Sequence, residues 1–168
     1  MQPSARLLIV GSGANQQGNS GAEGLIDLAN AVLQRMVKNG TISPEEYDEM
    51  AVPTYYRTAQ EWKEPFTSDS NFALSLDYFE EFPLPDVYLE RFEQDGDAQA
   101  FTKAYTGFFK AAFEPCLFVN LSDKRTPDDR QRVINLFSQR LQAALAQDPK
   151  KYSCRWVIHL MLISKKQK

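Results

Sequence analysis

Apolar residues crowd the end of the chain. From Trp156 to Ile163 the sequence Trp-Val-Ile-His-Leu-Met-Leu-Ile is apolar on both alternating faces, apart from His159. It is rich in β-branched and aromatic residues and free of Gly and Pro, which predicts a strand. A strand apolar on both sides belongs inside a sheet, with helices above and below. Only the solvated Ser164 to Lys168 follow, so this last strand has to be inserted between strands formed earlier. Leu7-Leu8-Ile9-Val10 reads as one of them, a short strand buried on both faces. Asn71 to Phe79 reads as the other, with Phe72, Leu74, Leu76 and Tyr78 on one face.

Between the strands the period changes to that of helices. Leu25, Leu28, Ala29, Val32, Leu33 and Met36 form one helical stripe, ended by Asn39-Gly40. Ser43-Pro44-Glu45-Glu46 is a capping box with Pro at the first helical position, and Thr58-Ala59-Gln60-Glu61 is a second box opening a helix that Pro65 stops. Phe82 to Asp95, with its prolines and acids, reads as an irregular surface segment, and Glu80-Glu81 as a solvated charge pair. Phe101, Ala104, Tyr105, Phe108, Phe109 and Ala112 make an aromatic helix stripe that Pro115 interrupts. Thr126 caps a last helix whose inner face is Val133, Leu136, Phe137, Leu141, Ala144 and Leu145. The loop Gly11 to Gly21 opens like a dinucleotide fingerprint. Gln16 stands where the third Gly belongs, so the loop reads as a flexible edge of an active site.

Length and charge narrow the function. The 168 residues suit one domain. Net charge is −3 with Lys and Arg scattered, so no basic footprint points to nucleic acid, and no apolar run of about 18 residues points to a membrane span. Met1 to Arg6 lead directly into the first strand and do not read as a signal peptide, so a cytoplasmic location is expected. Cys116 and Cys154 read as small hydrophobes, and with a single His no metal centre is expected.

Several stretches in order resemble one family, the SABATH carboxyl methyltransferases. Arg6 to Val10, preceded by Pro3-Ser4-Ala5, resembles the strand after that family's Pro-Gly-Gly turn. Leu28 to Gly40, Ile42 and Glu45-Glu46 resemble its helix and the segment after it. Pro53, Tyr55, Thr58 and Glu61 match a Pro-x-Tyr-x-x-Ser/Thr-x-x-Glu motif. Ser70-Asn71-Phe72 resembles a Gly-Ser-Phe strand opening, and Ala112 to Leu117 an Arg-Ala-x-x-Glu-Pro-x-Leu motif. The likeness covers the family's C-terminal half only.

The resemblance implies an α/β fold. The chain would be the C-terminal part of a class I, Rossmann-like methyltransferase sheet, with strands in the order 5-7-6, the last one antiparallel, and helices on both faces. It implies a fragment of an S-adenosylmethionine-dependent enzyme that methylates a small-molecule carboxylic acid. This chain would contribute the acceptor pocket, with the cofactor-binding half absent and no cofactor bound by the chain alone. Leu25, Ile26, Tyr55, Tyr56 and Trp156 fall at or near the acceptor-contacting positions. Some relatives carry a magnesium site at a motif ending in Asn. Here Asp48-Glu49-Met50-Ala51 lacks that oxygen ligand, so no metal is implied. An alternative is a non-catalytic truncated relative that serves as an assembly module. The incomplete sheet further implies a homodimer through the free edge of Leu7–Val10, or pairing with a missing N-terminal half.

Overall fold

A computed structural model describes residues 5–67 and 73–166. The chain divides into two units, one of Met1–Glu23, Tyr55–Pro85 and Cys154–Lys168, the other of Gly24–Thr54 and Asp86–Ser153.

The first unit is built on a three-stranded sheet of β1 (Arg6–Ser12), β2 (Leu74–Pro83) and β3 (Val157–Lys165), in the order β1-β3-β2. The last strand is inserted between the two earlier ones, as its apolar pattern demanded, and is antiparallel to both, as the family resemblance implied. Its two faces are not equal, however. His159, Met161 and Ile163 are buried, whereas Ile158, Leu160 and Leu162 are half-buried. The reading of β1 as fully buried is corrected more strongly. Leu7, Leu8 and Val10 are 46%, 59% and 57% exposed. The cause is topological: among the described residues β1 pairs only with β3, so it is an edge strand despite its composition.

β2 runs to Pro83, four residues beyond the expected end. A bulge between Leu76 and Tyr78 breaks the period-two pattern. Tyr78 therefore does not continue the Leu74–Leu76 face; it is half exposed and donates to Glu80 over 2.8 Å. Phe79 takes the inward place, its ring 5.1 Å from that of His159. Glu81, read as solvated, sits opposite His159 with its carboxylate 3.0 Å from Nε2. α3 (Ala59–Thr67) lies beside β2, with the Lys63 ammonium 4.5 Å over the Phe79 ring. Its Thr58–Glu61 capping box forms as read. Pro65 does not stop it: the helix closes two residues later. Ser70-Asn71-Phe72 lies outside the described residues.

The second unit is helical, with α1 (Glu23–Lys38, from Gly24 onward), α2 (Pro44–Asp48), α4 (Val87–Asp95), α5 (Ala98–Leu117), α6 (Pro127–Leu145) and a 3-10 turn at Pro149–Tyr152. The α1 stripe is buried at all six expected positions. The segment read as irregular contains α4, capped by Asp86, whose carboxylate accepts from the Leu89 N–H at 3.0 Å and also from the Tyr105 hydroxyl. A buried cap bound by a second helix is a tertiary signal, and the local composition does not carry it. α5 passes through Pro115, which falls in its last turn and forfeits one backbone bond only. Its buried ladder is Phe101, Tyr105, Phe109, Phe113 and Leu117; Ala112, expected inside, is exposed. α5 packs against α4 and α6, with Phe109 5.6 Å from Phe137.

Candidate functional site

The first unit gathers three segments around the start of β3. The loop after β1 is held by both ends to one residue: the Gly13 N–H donates to the Val157 carbonyl and the Val157 N–H to the Ser20 carbonyl, each at 2.8 Å. The Ala14 N–H donates to the Arg57 carbonyl at 2.9 Å, and Ala14 bridges Thr58. Within the loop the Asn15 side-chain oxygen accepts from the N–H groups of Gln17 and Asn19, each at 3.0 Å. The expected flexible loop is thus a pinned one. Its Gly/Asn/Ser composition serves tight turns rather than motion.

Two glycines are required by close approach. A Cβ on Gly13 would stand 2.2 Å from the His159 ring, and one on Gly21, at φ +87°, would stand 2.0 Å from the Arg155 carbonyl oxygen. The loop closes on a Ser20–Glu23 pair, in which the Glu23 carboxylate accepts from the Ser20 N–H, the Ser20 hydroxyl and the Gly21 N–H. Burial alone would raise the Glu23 pKa. The Ser20 hydroxyl and the backbone donors outweigh it and hold the group below its ordinary value. The Ser-x-x-Glu spacing before an apolar stripe was the available signal for this turn.

Tyr56 and Trp156 meet on the wall so formed. Their ring centroids are 5.7 Å apart at 60°, an edge-to-face pair. The Trp156 carbonyl accepts from the Leu84 N–H at 2.7 Å, tying the end of β2 to the same place. Tyr55 is 72% exposed and donates its hydroxyl to Glu61. That bond raises the Tyr55 pKa and lowers that of Glu61. Arg57 stacks beside it, its guanidinium 5.8 Å from the Tyr55 ring and 5.4 Å from the Trp62 ring. Leu25 and Ile26 belong to the second unit, on the first turn of α1, Leu25 fully buried and Ile26 half-buried.

His159, the one polar residue in the apolar run of β3, has a specific setting. The ring is 1% exposed and held by Glu81 on one side, while Nδ1 is buried without a hydrogen-bond partner beside Gly13.

Residues 1–166 of the 168 match the family model described as SAM-dependent carboxyl methyltransferase. The chain belongs to that family. No curated protein matches it. The family's reaction uses S-adenosylmethionine, so the glycine-containing loop can be tested as its cradle. The N–H groups of Gly13, Ala14, Asn15, Gln17, Gly18, Asn19, Ser20 and Gly21 are already spent on protein acceptors. Glu23, the acid at the loop's end, is spent on Ser20 and Gly21. A loop whose backbone donors are so largely spent within the chain does not fit as a cradle for the polar groups of that cofactor. Among the described residues no helix is long and apolar enough to cross a membrane.

Proposed function

We propose that this chain supplies the acceptor side of a carboxyl methyltransferase whose substrate is a small-molecule carboxylic acid, while S-adenosylmethionine is held by a part of the fold beyond these residues. β1, β2 and β3 then correspond to the fifth, sixth and seventh strands of the class I methyltransferase sheet, in the order 5-7-6. The chain is one half of that domain. The exposed outer side of β1 supports this, since the same edge would carry the next strand of a complete sheet. Alone, the chain would bind the acid without methylating it.

The observation that carries the reading is the Tyr56–Trp156 pair, fixed on a wall whose backbone is pinned at Gly13, Ala14, Ser20 and Val157. Methyl transfer to a carboxylate is a direct displacement. An oxygen lone pair forms the new C–O bond as the C–S bond breaks, and the sulfonium leaves as a neutral thioether. Such a step asks chiefly for alignment and exclusion of water, which rigid aromatic faces provide. In this reading Tyr56 and Trp156 hold the organic body of the acid, with Tyr55 adding to the acceptor contacts.

Calorimetric titration of the chain with small aromatic acids, and separately with S-adenosylmethionine, tests the assignment. The expected result is measurable acid binding that Trp156→Ala abolishes, with no cofactor binding at micromolar concentration. Micromolar cofactor binding, or acid binding indifferent to Trp156, would overturn it.

A further inference from the structure

In the second unit, Val32, Arg35, Asn39, Arg140, Ala143, Ala144 and Gln147 line a cavity of about 280 Å³ beside the C-terminal ends of α1 and α6. We propose that it binds a small oxyanion, an organic carboxylate or a phosphate, gripped by Arg35 and Arg140.

The other arginines of this unit have carboxylate partners: Arg91 with Asp95, Arg125 with Glu46, Arg130 with Asp123 and Arg132 with Asp129. The two that line the cavity have none among the described residues, and Nη1 of Arg140 is buried without a hydrogen-bond partner. A buried donor left without an acceptor is costly, the more so when charged, so this guanidinium is set for an acceptor that the chain does not supply.

The helix ends do not supply it either. Each helix C-terminus carries about half a negative charge, so two ends offset about one of the two guanidinium charges and leave about one positive charge facing the cavity. Arg's planar fork matches the paired oxygens of a carboxylate or phosphate. The amides of Asn39 and Gln147 add donors, and Val32, Ala143 and Ala144 offer a small apolar floor. The volume lies near the low end for small-molecule sites. The net charge of −3 opposes anions globally, so selectivity has to arise from this local pair.

The site does not depend on the acceptor wall and is tested without it. The side-chain Nε–H NMR signals of Arg35 and Arg140 are followed in the full chain at constant ionic strength, with benzoate in one arm and inorganic phosphate in the other. The expected result is a saturable shift of the Arg140 signal with at least one of them and none with equal chloride. Benzoate alone assigns an organic acid, phosphate alone a phosphate. Arg35→Gln, at an exposed position that leaves folding intact, should weaken the binding by about tenfold, the loss of one charge-assisted contact. No saturable shift in either arm, a response equal to that with chloride, or full affinity in Arg35→Gln would overturn the proposal.

Discussion

Single residues decide the shape of the wall in the first unit. Gly21 combines a positive φ with the Arg155 backbone carbonyl where its Cβ would stand, and a backbone carbonyl just before β3 cannot yield as a side chain can. Gly21→Ala is therefore expected to destabilise the chain by about 2–3 kcal/mol, the cost of left-handed strain plus overpacking. A urea midpoint equal to wild type would contradict this. Tyr55 and Tyr56 adjoin in sequence and differ in setting, one exposed against Glu61 and one paired with Trp156. Tyr56→Ala should weaken acid binding by about tenfold, since an aromatic pair contributes ~0.5–1.5 kcal/mol beyond its area. Tyr55→Phe should weaken it less, and calorimetry on both variants orders them. Sequence reasoning named both tyrosines and Trp156. It could not pair Tyr56 with Trp156, because 100 positions separate them and only the loop's bonds to Arg57 and Val157 bring their segments together. The His159–Glu81 contact was hidden for a similar reason. It depends on the bulge in β2, and an alternating strand pattern does not announce one.

At the scale of elements, the helices followed their apolar stripes, and the clearest local signal was the Ser43–Glu46 capping box. There the Ser43 hydroxyl accepts from the Glu46 N–H at 3.1 Å, and the Glu46 carboxylate accepts from the Ser43 N–H at 2.9 Å. The same carboxylate accepts from Arg125 Nε at 2.5 Å and Nη2 at 2.6 Å, and from the Ser122 N–H at 3.1 Å. Arg125 also donates to the Thr41 carbonyl at 2.9 Å. A helix cap thus clasps the turn between α5 and α6. The Arg125 bonds hold the Glu46 pKa at about 2, against an ordinary 4.5. A carboxylate depressed in the folded state stabilises above its unfolded pKa, and that stability is lost as pH falls through the folded value. The window is therefore from about 4.5 down to about 2, and the stake is about 3 kcal/mol at 1.36 kcal/mol per unit. Urea unfolding from pH 7 to pH 2.5 should show wild type losing stability below about pH 4.5. Glu46→Gln should start lower and change less over that range; equal slopes would refute the clasp. The box was legible because capping is local. Arg125 was not, lying 79 residues away. α4 was missed because its prolines and acids suggest surface, while its start depends on the buried Asp86–Tyr105 contact.

For the whole molecule, the insertion of the last strand was legible because a strand apolar on both faces calls for neighbours on either side, while its antiparallel direction was legible only through the family resemblance. The burial of β1 was misjudged because composition reports what a strand could bury against, and topology reports what is there. Arg6–Ser12 carries no charge beyond Arg6 and no proline, the usual devices that keep an edge from pairing. Two copies paired antiparallel about Ile9 would place Leu8 opposite Val10 in both directions, as a two-fold axis requires. Light scattering at micromolar concentration should give more than the 19.1 kDa of one chain, and Val10→Lys should return it to the monomer value. A wild-type monomer would remove the edge from the account.

The acceptor wall is the centre of the reading, and Trp156 can report on it directly. Trp62→Phe leaves it the only tryptophan of the two in the chain. In that variant the account predicts that small aromatic acids change Trp156 emission saturably, and that Tyr56→Ala moves the midpoint to higher concentration. Emission that stays constant, or declines only in linear collisional fashion with both tyrosines intact, would contradict the assignment of this chain as the acceptor side of a carboxyl methyltransferase.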